Sequence, residues 1–548
     1  GSLHVDILDG GVWQLDVVPA ISGDLGNTWN DLTVDLSPYV GSTIKIRIRG
    51  ITGFGWSSDI AIDDLRFTAS GCSTTVWNGS NWSPGAPSLS SAVEISGLYD
   101  TSSQGSFECC SLLVNPSGEL IIEDSQFVVV QNGMTNNGTV TVKNNGSLIQ
   151  VDDNGINLGN INYERTVNMR KQDYVYWSSP LQGFNVDNIS PLTPSGLIYK
   201  WDPTFSNSNG GQGYWINAAS ELMSSGKGYI VRGPDNFNNT LQNYTTTFSN
   251  GIPNNGSINT SISRGGYEGI DYPGTNSVNI TRFDDNWNLI GNPYPSAINV
   301  LDFLNLNSAL IEGAVRIWTH GTLPSSGGSP FYGDYATNYS ASDYITHNGS
   351  GTVSGPLGFN GYIAGGQGFM VLMNDGPTTS GNVLFNNTLR NKLYANNQFY
   401  RSSNPPADRS RIWLNLSDEN DISDRTLIAY LEGATDLKDR LYDAFTTIDP
   451  SAHRIYTFIE VDKMTIQAFG LPFLNDDQIP LGINIPAAGN YSISIHAVEG
   501  LFSNQEVFVE DLLLNSISNI SNEPYTFYAE ANEINDRFVL RFNTSSLS

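Results

Sequence analysis

Tyr174-Val-Tyr-Trp-Ser-Ser-Pro180, running on to Phe184-Asn185-Val186, returns as Trp287-Asn-Leu-Ile-Gly-Asn-Pro293, running on to Ile298-Asn299-Val300. Further out, Ile198-Tyr-Lys-Trp201 is echoed by Val315-Arg-Ile-Trp318, and Gly226-Lys-Gly-Tyr-Ile-Val231 by Gly366-Gln-Gly-Phe-Met-Val371. Each copy closes on an alternating strand, Thr246-Thr-Phe-Ser-Asn250 and Val383-Leu-Phe-Asn-Asn387. Self-similarity over roughly 110 residues is too long for a solenoid rung and reads as a duplicated β-domain. The repeats are expected to span 165–285 and 286–395, as one fold twice, with Trp201 over Trp318 and Tyr229 over Phe369.

Composition narrows the class. The chain has 548 residues, with 54 acidic against 26 basic side chains and a formal charge of −28. A nucleic-acid binder needs a positive footprint, which this balance denies. Anionic membrane surfaces are disfavoured for the same reason. Carboxylates in excess keep a secreted protein soluble and offer hard oxygen ligands to Ca²⁺. No run of 18 apolar residues occurs, so the chain is read as not membrane-spanning. Gly1-Ser-Leu-His-Val-Asp6 reads as an alternating strand rather than a signal peptide, so the chain is expected to begin inside a larger protein. The three cysteines are Cys72, Cys109 and Cys110, a scarcity that fits export. Cys72 is expected to bridge to Cys109 or Cys110, because direct bridging of the vicinal pair is strained.

The remaining segments are also β-patterned. In 1–71, Thr43-Ile-Lys-Ile-Arg-Ile-Arg49 alternates strictly, with Ile44, Ile46 and Ile48 on one face, and Ser58 to Phe67 reads as a second strand. In 72–164, short strands such as Glu119-Leu-Ile-Ile122 and Thr139-Val-Thr-Val142 are parted by Ser-Gly and Asn-Gly turns. That rhythm allows a meander and favours a small β-solenoid, with the Trp77 to Pro84 loop as its cap. Residues 396–548 carry long alternating strands and read as a β-sandwich, with Ala434 to Phe445 its one helical candidate. Asn299 to Leu310 is expected to form a short helix. The expected fold class is all-β, a multi-domain array of β-sandwich or jelly-roll modules with a short β-solenoid-like segment and an internal duplication.

Two resemblances follow from these stretches. Trp29 to Leu36, Gly41 to Arg49 and Asp59-Ile-Ala-Ile-Asp-Asp-Leu65 resemble the closing half of a MAM-type jelly roll. Trp287 to Ser296, Gly365-Gly-Gln-Gly-Phe369, Ile428-Ala-Tyr-Leu-Glu-Gly433 and Arg537-Phe-Val-Leu-Arg-Phe542 resemble the C-terminal regions of large proteins exported by the type IX secretion system of Bacteroidetes. With the Trp77–Pro84 motif they span about 72–548. The resemblance implies export, a removable sorting domain absent from this sequence, contact with the secretion machinery through it, and display at the outer-membrane surface. It implies no chemistry.

Motifs for catalysis are not found. The histidines, His4, His320, His347, His453 and His496, form no His-Glu-x-x-His arrangement, and neither a Gly-x-Ser-x-Gly elbow nor a phosphate loop occurs. Asp284-Asp285 and Asp476-Asp477 are carboxylate pairs that read as solvated turns rather than a glycosidase pair. Asp59, Asp63 and Asp64 form the best calcium candidate. Asp152-Asp-Asn-Gly155 and the Asp418–Asp424 run lack EF-hand spacing and read as turns. Tyr332, Tyr335, Tyr339 and Tyr344 lie in the long loop of the second repeat, where tyrosines can stack on sugars or fill a protein interface. The expected function is a non-catalytic stalk or binding segment of a secreted, adhesin-like surface protein that meets a glycan or protein partner. The alternatives are an accessory region of a secreted hydrolase with its catalytic domain upstream, or a structural subunit of an outer-membrane complex.

Overall fold

The computed structural model describes residues 1–23, 30, 32–39, 43–51, 61–63, 72–206, 211–274, 279–319, 343–353, 359–397, 409–446 and 452–544. They fall into two compact units, Gly1–Ser73 and Thr74–Ser548. In the first, Ser2–Asp9 is the centre of a four-stranded antiparallel sheet and pairs along its length with Lys45–Ile51. The alternation of that second strand leaves Ile44, Ile46 and Ile48 half-buried and sends Arg47 and Arg49 to the other face. There both guanidinia reach Asp6, at 2.7 and 3.1 Å, and hold its carboxyl well below the usual range. Most of the Ser58–Phe67 stretch, with Trp29, lies outside the described residues.

The second unit opens with a three-faced parallel β-solenoid. Its rungs are Ser91–Ile95, Leu98–Asp100 and Phe107–Cys109; then Ser111–Val114, Glu119–Ile122 and Phe127–Val130; then Met134–Asn136, Thr139–Val142 and Ser147–Gln150. Parallel register stacks Val93, Leu112 and Met134 on one face, and Tyr99, Leu120 and Val140 on the next. Phe107, Val128 and Leu148 stack on the third, and all nine side chains are buried. Each coil takes about 20 residues, the length a short-strand solenoid needs. The expected cap is present. The hairpin of Ser73–Trp77 and Trp82–Ser83 sets Trp82 within 5.4 Å of Trp77, 5.2 Å of Tyr99 and 5.7 Å of Phe107.

The duplication follows, with strands numbered here from its start. The first copy holds β1 (Ile161–Met169), β2 (Tyr174–Trp177), β3 (Ile198–Ser206), β4 (Gln212–Asn217), β5 (Tyr229–Arg232) and β6 (Gln242–Gly251). The second holds β7 (Ile258–Ser263), β8 (Trp287–Gly291), β9 (Ile311–Trp318), β10 (Tyr344–His347), β11 (Gly368–Met373) and β12 (Ser380–Phe385). One sheet runs β2-β5-β3-β4 and the other β8-β11-β9-β10 with the short strand Thr352–Val353 added beyond β10, while β1 pairs β6 and β7 pairs β12. Topology and register both repeat. Trp177 faces Tyr229 as Ile290 faces Phe369, and Trp201 faces Trp215 as Trp318 faces Tyr344. The structural repeat therefore starts at Ile161 and again at Ile258, so residues 258–285 belong with the second copy. Asn185 accepts from Asp187 N at the start of a single 3-10 turn. Its equivalent Asn299 caps a true helix, Val300–Leu306, accepting from Leu301 N and Asp302 N.

The two copies grip each other reciprocally. Ser178 N donates to Gly366 O, and its equivalent Gly291 N donates to Gly226 O, both at 2.8 Å. The matching bridges are Trp177 to Gln367 and Lys227 to Ile290. Reciprocity of this kind is the mark of a two-fold interface, here within one chain. Gly226 and Gly366 take φ of +78° and +76°, a left-handed turn that glycine adopts without cost. Aromatic rings fill the space between the sheets, with Tyr176 stacked on Trp318 and Trp201 Nε1 donating to Trp287 O.

The last module has β13 (Ser410–Asp418), β14 (Ser423–Leu431), β15 (Ala444–Phe445), β16 (Arg454–Ile459), β17 (Asp462–Gly470), β18 (Gln478–Ile485), β19 (Gly489–Glu499), β20 (Phe508–Asp511), β21 (Ser516–Asn519), β22 (Tyr525–Ala529) and β23 (Asn532–Arg541). The sheet path is β21-β20-β23-β18-β16-β17-β14-β13-β19-β22, with β15 added on β17. Its ends meet: Tyr525 of β22 donates to Asp511 of β20 at 2.7 Å, and Phe527 packs on Phe538 of β23 at 4.6 Å. The sheet thus curls into a sandwich around one apolar core. The expected helix at Ala434–Phe445 is not formed; the segment runs as turns into β15. Asp443 Oδ2 takes the Asp439 N–H instead, the competition by which short acidic side chains break helices.

Buried arginines join these modules through main-chain carbonyls. Arg165 donates to Asn144 O and Asn396 O, and Arg390 to Leu148 O, tying the solenoid to the repeats and to the segment after them. Arg411 donates to Ser350 O, Arg440 to Ile311 O and Leu304 O, and Arg316 to Phe445 O, tying the second copy to the sandwich.

Candidate functional site

Strand β9 reads Ile311-Glu-Gly-Ala-Val-Arg-Ile-Trp318. Its period of two sends Ile311, Val315 and Ile317 into the core of the second copy, and Glu312, Ala314 and Arg316 to the opposite face. The segment entering β15 covers that face incompletely. The space left between them is a cleft lined by Trp287, Glu312, Arg316, Thr346, Asp443 and Phe445 among others, of about 320 Å³ counted to its open mouth. The enclosed space of this cleft is about 20 Å³, room for a single water molecule.

Arg316 is 7% exposed. Its guanidinium lies 4.3 Å from the Trp287 ring centre, and Nη2 donates to Phe445 O at 2.6 Å. Among the described residues no carboxylate comes within ion-pair distance of it. Burial, with Arg454 nearby, lowers its pKa to about 9. Across the cleft Asp443 is buried, with Oδ1 accepting from Ala468 N at 2.8 Å and Oδ2 from Asp439 N at 2.6 Å. Desolvation pushes its carboxyl up to about 7, against the pull of those two N–H groups. At the mouth Glu312 pairs with Lys438 at 3.0 Å, and the Lys438 ammonium sits 4.0 Å over Phe445. The cleft is therefore lined by a guanidinium, two carboxylates already engaged by Lys438 and by backbone N–H groups, and Thr346, between aromatic walls. Among its described lining residues no nucleophile is paired with a base.

The residues expected from sequence fall elsewhere. Asp59, Asp64, Tyr332, Tyr335, Tyr339 and His320 lie outside the described residues, and Asp63 is exposed. Tyr344, expected in a loop, opens β10; its hydroxyl meets that of Tyr176 and its ring packs 4.9 Å from Trp318, so it serves the joint between the copies. His347, also placed in that loop, is buried on β10 with Nδ1 at 2.8 Å from Thr352 Oγ1. Burial lowers its pKa to about 3. Asp285, read as part of a solvated turn, is 3% exposed and accepts from Tyr267 N. Its neighbour Asp284 is pushed up to about 6 by desolvation. Asp152 and Asp418 close turns as expected, accepting from Asn154 N and Asn420 N. No group of three or more His, Cys, Asp or Glu fit to hold a metal occurs among the described residues. Cys72 and Cys110 are disulfide-bonded, and Cys109 is free and buried in the solenoid core. Sequence reasoning passed over Arg316, Glu312 and Asp443. The available signal was the Glu-x-Ala-x-Arg alternation set into an otherwise apolar strand.

The profile of a family described as a domain of unknown function (DUF8693) matches residues 68–542. The chain belongs to this family. Its match takes in the solenoid, both repeats and the sandwich, and so the whole of the cleft. No curated protein and no solved structure matches the chain.

Proposed function

We propose that this DUF8693 chain is a non-catalytic binding and display segment of an exported cell-surface protein, whose partner is a glycan. The observation that carries the reading is the set of arginine joints. Solenoid, repeats and sandwich are fixed to one another by buried guanidinia on main-chain carbonyls, so that the unit Thr74–Ser548 can bear load and hold a binding face at a set position. A disulfide-bonded Cys72 and Cys110 suit the oxidising exterior that this role requires. The test is a glycan array probed with the purified 548-residue chain, alongside peptide and glycoside hydrolysis assays. Saturable binding without turnover is the expected result; turnover of either substrate class would overturn the reading.

A further inference from the structure

We propose that the turn between β20 and β21 is a lipid-contacting tip, which sets Leu512, Leu513 and Leu514 into the surface of an electrically neutral lipid layer. The inference goes beyond the glycan reading and does not depend on it.

Strand pairing places Asp511 opposite Ser516, which leaves Leu512-Leu-Leu-Asn515 as a four-residue turn. The three leucines are 51%, 71% and 61% exposed, at the edge of a core that buries Leu481, Phe538 and Leu540. Three consecutive exposed apolar side chains are a fault on a surface that meets only water, and they mark a contact site otherwise. The turn is held so that it cannot withdraw them. Leu512 N donates to Arg537 O at 2.8 Å, and Leu513 N and Leu514 N donate to Asp511 Oδ1 at 3.0 and 3.2 Å. Asp511 is itself buried, held by Arg537 at 2.8 Å and by the Tyr525 hydroxyl at 2.7 Å. Asn515 closes the turn with φ of +48°, a conformation asparagine tolerates. The tip is thus formed before any partner arrives, and contact leaves no backbone to be ordered.

Shape, area and charge choose the occupant. The leucines stand on a turn and together expose about two side chains' worth of apolar surface, far less than the roughly 800 Å² a side that a stable dimer buries. A lipid layer needs no complementary shape and takes up apolar side chains at its headgroup boundary. Arg537, which holds Leu512, also donates to the carbonyl of Tyr528, whose exposed ring is of the amphipathic kind suited to such a boundary. The exposed ionisable groups beside these residues are acidic: Asp536 precedes Arg537, and Glu530 accepts from the Tyr528 hydroxyl. With a formal charge of −28 on the chain, an anionic surface repels this tip and a neutral one does not. Binding through so few side chains is weak and reversible, since even a single myristoyl chain binds only marginally.

The experiment is sedimentation of the full chain with phosphatidylcholine vesicles at millimolar lipid, with phosphatidylglycerol added as the anionic arm. The native chain is expected to partition onto phosphatidylcholine, and less as phosphatidylglycerol is added. The triple change Leu512→Ser, Leu513→Ser and Leu514→Ser is expected to lower the partition coefficient at least about tenfold, from the apolar area removed. Its melting temperature should be unchanged, because these side chains lie outside the core. Leu513→Cys carrying a polarity-sensitive dye, with Cys109 shielded in the solenoid core, should shift its emission to the blue on the same vesicles. A native chain that stays in the supernatant, or a serine variant that binds as well as the native chain, would overturn the proposal. Binding that grows with phosphatidylglycerol would overturn the assignment of a neutral surface. Self-association in solution that the serine variant abolishes would give the tip to a second copy instead.

Discussion

At the scale of single residues, the cleft shows how far an ionisable group can be moved by its surroundings. Asp443 is pushed up to about 7 by burial, whereas an unfolded chain ionises it near pH 4. The folded state therefore binds this proton more tightly. Stability from the group is full below about pH 4 and is lost as pH rises towards 7. Asparagine cannot ionise, so the melting temperature of Asp443→Asn relative to the native chain should rise between about pH 4 and pH 8. A difference that stays flat across that window would mean that Asp443 is ionised in the folded protein throughout. None of this was legible in sequence, where Asp443 is one acid in a run with Asp436 and Asp439. Its environment is set by β17 and β9, which arrive from elsewhere in the chain.

Among elements, the repeated Gly-x-Gly turn is where the two copies can be compared directly. A Cβ on Gly226 would lie 1.9 Å from Thr260 Oγ1, whereas on Gly366 its nearest neighbour is Ser178 O at an ordinary 3.4 Å. Both positions have positive φ, so both alanine variants carry backbone strain of about 1 kcal/mol or more. Gly226→Ala adds the clash and should lower stability by about 2–3 kcal/mol, more than Gly366→Ala, as urea midpoints would show. Equal costs would contradict the geometry. Strand periodicity, the short helix after Asn299 and the Asn-Gly corners were readable because each depends on residues within a few positions. The Ala434–Phe445 segment was not, because Asp439 N is captured by Asp443 and Thr435 N by Asp439, and the segment is held by the second copy through Ser350 Oγ on Tyr442 O.

For the molecule as a whole, the joints govern stability. Arg390 makes three hydrogen bonds, of which the one to Leu148 O ties the second copy to the solenoid, and its burial leaves no water to replace them. Arg390→Gln should cost about 3 kcal/mol, and calorimetry should show the main transition of the chain moved down rather than a separate minor one split off. An unchanged thermogram would show that the joint is not coupled to folding. Peptide mapping without reduction should find Cys72 linked to Cys110, with Cys109 alkylated only after denaturation. A Cys72–Cys109 peptide would contradict the arrangement, in which Cys109 points into the solenoid core.

Residue order alone carried the all-β class, a rhythm that favoured a solenoid while allowing a meander, the capping stretch Trp77–Pro84, and the duplication with Trp201 over Trp318. These rest on short-range periodicity and on self-similarity, and both are written in residue order. Tertiary structure decided which cysteine is bridged and that β7 opens the second copy. It decided as well that Tyr344 is packed inside while Arg316 faces a cleft. Each of those outcomes depends on strands brought together from distant parts of the chain, where burial and the loss of water, rather than local pattern, set what a side chain can do.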